Sequence, residues 1–81
     1  MKIQEIKERI IENLETEEEE HKRKNLIECV EILERVIILL EDNPQIKDIS
    51  EFYEARNLEE EIKWVKEYLK DTFNIKVDYG N

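Results

Sequence analysis

Cys29 and His21 are the side chains with most chemistry to offer, a thiol that could act as nucleophile or soft metal ligand and an imidazole that could act as base or ligand. Each is the sole residue of its type. They lie about two helical turns apart, a spacing that pairs no nucleophile with a base. A structural zinc site needs four nitrogen or sulfur ligands in paired spacing, and two isolated ones do not supply it. Cys29 stands beside Val30 in an apolar pattern and reads as a small core filler. One cysteine allows no intramolecular disulfide, and with no signal-like segment at the start of the sequence this fits a reducing cytoplasm.

The carboxylates are many, 22 Asp and Glu, yet no two of them are marked as a desolvated pair with separated pKa values, as acid and base work requires. Glu41, Asp42 and Asp48 flank one loop, but their spacing matches no calcium loop. The only glycine is Gly80, which leaves no glycine-rich phosphate loop. No catalysis, no cofactor and no metal are therefore expected.

Charge narrows the partners. Thirteen Lys and Arg against 22 acidic residues give a net charge of -9, with 43% of the chain charged, so nucleic-acid phosphates are repelled overall. The basic cluster His21, Lys22, Arg23 and Lys24 has Glu17, Glu18, Glu19 and Glu20 four positions earlier, each pair in the favourable helical order. A self-paired, solvated face is the expectation. The acidic run of Glu15 and Glu17 to Glu20, with Glu59, Glu60 and Glu61, admits a second reading as a phosphate-backbone mimic that blocks a DNA-binding protein. A helical nucleic-acid binder ranks third. The longest apolar run is too short to span a bilayer, so the expectation is a soluble, cytoplasmic protein.

Three helical segments must position these residues. Ile3, Ile6, Ile10, Ile11 and Leu14 fall at helical spacing and define the first. Thr16 followed by Glu19 has capping-box spacing, which predicts the start of the second. Its packing seam is predicted at Leu26, Val30, Leu33, Ile37 and Leu40, ending at Asp42, Asn43 and Pro44. Asp48 with Glu51 offers another cap, after which Phe52, Ala55, Leu58, Ile62, Val65, Leu69 and Phe73 recur in steps of three and four. Asn74 is a left-handed stop, and Ile75, Val77 and Tyr79 then alternate with polar residues as in a short strand or extended tail.

An antiparallel turn between the second and third helices would set Leu33 near Leu58 and Leu26 near Val65, leaving Leu69 and Phe73 without apolar partners. Folding the first helix back at Glu15 and Thr16 brings Ile6, Ile10 and Leu14 to them. The predicted architecture is thus all-α, a small three-helix bundle in one domain over residues 1–81, with 75–81 as an extended or flexible tail. The rival is a single helix from the N-terminus to Asp42, about 60 Å long at 1.5 Å per residue, since no Gly or Pro forces a break.

Val36, Ile37, Ile38, Leu39 and Leu40 exceed what such a bundle needs, because successive residues step by 100° and coat every side of the helix. Trp64 and Tyr68, one turn apart beside the Val65 and Leu69 seam, widen the apolar stripe of the third helix. These seven residues, with Ile75, Val77 and Tyr79 of the tail, are the candidate interface. The function expected is a small acidic protein-interaction module that self-associates, a dimer being favoured because a chain this short has difficulty building a sufficient core alone.

Overall fold

A computed structural model of the chain describes residues 3–45 and 58–77. Among the described residues it has three α-helices and no strand: α1 (Ile3–Thr16), α2 (Glu20–Asp42) and α3 (Glu59–Phe73). The protein is all-α, a small helical bundle. At 1.5 Å per residue α2 is about 34 Å long, most of the 39 Å long axis, and it serves as the spine on which both other helices pack.

The first helix forms as its spacing predicts. Ile3, Ile6 and Ile10 share one face and are buried, while Glu5, Glu8, Arg9 and Glu12 face solvent. Each isoleucine removed from water stabilises the fold by about 1.5–3 kcal/mol before entropy is counted. Along α2 the deepest row is Leu26, Cys29, Leu33 and Val36, with Ile32 beside it, whereas Val30, Ile37 and Leu40 of the predicted seam are only partly buried. The seam is rotated because α2 is packed from two sides, and a central helix needs a wider apolar arc than a single antiparallel partner demands.

The break between α1 and α2 differs from the capping-box expectation. Thr16 is the last residue of α1, its hydroxyl donating to the Asn13 carbonyl at 3.2 Å. Glu19 is the N-cap of α2 and makes no side-chain cap bond; its backbone N–H donates instead to Oε1 of Glu17 at 3.1 Å. Only residues 17–19 separate the helices, so a single uninterrupted helix does not form. The chain reverses there, and Lys7 meets Glu34 across the hairpin at 3.5 Å.

At its other end α2 stops where predicted. Asp42 is the last helical residue, and the Asn43 amide donates back to the Leu39 carbonyl at 3.0 Å ahead of Pro44. The proposed Asp48 and Glu51 cap, together with Phe52 and Ala55, lies outside the described residues. Arg35 in the C-terminal half of α2 reaches Glu61 in the first turn of α3 at 3.5 Å, as an antiparallel arrangement requires.

Asn74 takes the left-handed conformation expected of it, φ 54 and ψ 37. Its N–H donates to the Lys70 carbonyl at 3.2 Å and the next N–H, of Ile75, to the Leu69 carbonyl at 3.0 Å, occupying carbonyls that the helix end would leave unpaired. The turn directs the following residues back onto the bundle. Ile75 and Val77 are buried in the common core with Lys76 outside, so the two-residue alternation is used to fill a groove rather than to build a strand.

Candidate interaction surface

The groups with chemical potential are kept apart. Cys29 is buried, and its thiol is pushed up to about 12, chiefly by burial and secondarily by the Glu28 carboxylate, so it stays protonated and unreactive at neutral pH. His21 is exposed on the first turn of α2. Among the described residues no charged or polar residue is buried, and no three His, Cys, Asp or Glu stand where they could hold a metal ion. No described helix is long and apolar enough to cross a membrane.

The charged segment at the start of α2 is only partly paired as its spacing implied. Residues 17–19 precede the helix, so the expected order of four-residue pairs cannot form through them. Lys22 pairs with Glu19 at 3.6 Å, one residue closer in sequence than predicted. Arg23 does something the sequence does not signal. Its Nη1 donates to the carbonyls of Leu14 and Glu17, the latter at 3.0 Å, placing a cation on the C-terminal end of α1, a helix with no basic residue in its own last turn.

The ten interface candidates divide sharply. Val36, Ile75 and Val77 are buried in the chain's own core and have no side-chain surface to offer. Ile37, Leu39, Leu40, Trp64 and Tyr68 are partly buried and pack against that core. Ile38 is 57% exposed, the most open of the large apolar side chains among the described residues. Tyr79 lies outside the described residues. Two further isoleucines are exposed: Ile27, which was not among the candidates, and Ile11, which the spacing had placed on the apolar face of α1. Ile27 and Ile38 are three helical turns apart and share a ridge of α2, a spacing readable from the sequence, though Glu31 and Glu34 interrupt it.

Aromatic side chains of α3 lie partly buried against the core. Trp64 and Tyr68 stack with ring centroids 5.3 Å apart and planes 17° from parallel, and Phe73 meets Tyr68 edge-on at 6.0 Å. Among the described residues the Tyr68 hydroxyl is shielded from solvent and has no hydrogen-bond partner, and Oε2 of Glu61 is shielded likewise, within ion-pair reach of Arg35 but without hydrogen-bond alignment. Ile38 is about one turn beyond Arg35, and Trp64 about one turn beyond Glu61. The ion pair that joins the helices is therefore flanked by an exposed isoleucine on one side and the aromatic stack on the other.

Comparison with protein-family models, with curated proteins and with solved structures finds no match for this chain.

Proposed function

We propose that this chain is a helical protein-interaction module that pairs with a second copy of itself through the C-terminal end of α2, with Ile38 at the centre of the contact. The exposure of Ile38 within a run of five apolar residues carries this reading. A second copy suits the surface because a two-fold contact sets Ile38 against Ile38 and asks nothing of another chain. Charge favours the same place. Two copies, each with a net charge of -9, repel over most of their surface, and residues 36–40 are an uncharged stretch where they can approach.

Sedimentation across a range of concentrations tests the proposal. The unaltered chain is expected to gain mass with concentration, and more readily as salt screens the mutual repulsion, whereas a phosphate mimic gripping a basic partner would let go as salt rises. Ile38→Glu is expected to remain monomeric with its helical circular dichroism intact, since it would place a charge in a dry contact. An unaltered chain that stays monomeric at high concentration, with the variant equally folded, rejects the reading.

A further inference from the structure

The large apolar side chains left exposed among the described residues are Ile11, Ile27 and Ile38, and the first two come together on one face of the hairpin that α1 and α2 form. The Lys7–Glu34 ion pair sets the register. Because the helices run in opposite directions, four residues forward from Lys7 and four back from Glu34 bring Ile11 level with Val30, and about one turn further Leu14 stands level with Ile27. Two apolar rungs result. Leu14 and Val30 are partly buried against the core, while Ile11 at 38% and Ile27 at 45% exposure stand up beside them, making a shallow apolar groove between the helices. Acidic side chains rim it. Glu8 and Glu15 are exposed three and four positions from Ile11, and Glu20 and Glu31 are exposed seven and four positions from Ile27. The nearby cations are mostly committed, Lys7 to Glu34, Arg23 to the Leu14 and Glu17 carbonyls and Arg35 to Glu61, which leaves Lys24 against these four glutamates.

We propose that this groove docks a basic amphipathic helix of another protein, its apolar residues seated on the two rungs and its Lys and Arg residues set against the glutamates on either side. Charge decides the occupant. A second copy would bring the same four glutamates to the same place, unlike the contact at residues 36–40, where no charge intervenes. Nor does α3 of a second copy fit, since its lysine ridge of Lys63, Lys66 and Lys70 has no exposed large apolar side chain among the described residues to place on the rungs. The docking does not depend on Ile38, which lies one turn beyond Glu34, away from the rungs.

The probe is a synthetic peptide of Leu and Lys, about 16 residues long so that it can form helix on binding, with its leucines recurring in steps of three and four on one face. Its control has the same composition in scattered order. Calorimetric titration of the dilute chain at about 0.15 M salt, where distant charges are screened, should show the patterned peptide binding about tenfold tighter than the control. Equal binding of the two peptides is the behaviour of a phosphate mimic and overturns the proposal. The paired variant Ile11→Ser with Ile27→Ser should keep its helical circular dichroism, as exposed positions allow, and should bind the patterned peptide about tenfold more weakly. Glu15→Gln with Glu31→Gln should weaken it by a similar factor, and less so as salt rises. Indifference to either pair overturns the proposal. Ile38→Glu should bind the peptide as the unaltered chain does, and loss of binding there would seat the peptide on residues 36–40 instead. Sedimentation supplies the last arm: if the isoleucine pair abolishes a self-association that the unaltered chain shows, the groove belongs to a second copy and the proposal falls.

Discussion

At its N-terminal end α2 meets α1 through a three-residue turn, with a buried apolar face beneath it and the Arg23 cation laid over carbonyls that would otherwise lack partners; at its C-terminal end the same helix leaves Ile38 open to solvent. The first end is finished by polar groups within the chain. The second carries more apolar surface than its neighbours among the described residues cover. Burial of isoleucine and leucine is available at both ends, so the difference lies in what accompanies it: hydrogen-bond direction at one, undirected apolar area at the other. Directed bonds specify a single partner at a single place, while an apolar side chain left at the surface accepts any complementary face.

Truncating one side chain at each end should break the symmetry most visibly. Leu26→Ala, in the closed half, should cost about 2–5 kcal/mol in urea unfolding, because it leaves a cavity where exposure is 0%. Ile38→Ala, measured in dilute protein, should cost less than about 0.5 kcal/mol, as an exposed position does. Equal losses at the two sites would show that the C-terminal end is covered after all.

A smaller effect is expected from Arg23→Met, which keeps the apolar stem but removes the donors. Two carbonyls then lose a charge-assisted bond, and thermal unfolding in dilute protein should report a loss of about 1–3 kcal/mol. A further effect, confined to alkaline pH, comes from Cys29, midway between the ends. Its folded pKa lies above that of the free thiol, so stability is unaffected below the ordinary value of 9.0 and declines as pH rises from there towards about 12, where only the unfolded thiol ionises readily. Cys29→Ala should abolish this alkaline dependence. Denaturation midpoints at pH 7 and pH 10.5 measure it.

Much of this was legible in residue spacing. The three- and four-residue recurrence of Ile3, Ile6 and Ile10 identified α1, and Asn74 announced the end of α3, because both signals are local: a face to bury and a backbone angle that few residues tolerate. The turn was misplaced. Thr16 and Glu19 have capping-box spacing, but the cap bonds compete with Asn13, which receives the Thr16 hydroxyl, and with the Glu17 carboxylate, which takes the Glu19 N–H. Arg23 was indistinguishable from its basic neighbours, since its role depends on where the end of α1 comes to rest. Ile75 and Val77 look the same in sequence whether they pair with a strand or fill a groove, and only the assembled helices decide between those uses. Of the candidate surface, the apolar excess at residues 36–40 could be seen in advance; which of the five faces outward could not, because that is set by how far α2 is rotated between its two neighbours.

The stacked pair on α3 makes the molecule its own optical reporter. Trp64 is the only tryptophan, and a tyrosine ring 5.3 Å away and nearly parallel to it is close enough to pass on absorbed light and to couple with it in the near ultraviolet. The tryptophan emission belongs to α3 alone. Trp64 emission will follow the docking of that helix, while far-ultraviolet dichroism sums over all three, so a gap between the two melting curves would show whether α3 leaves the bundle before the others without any added label.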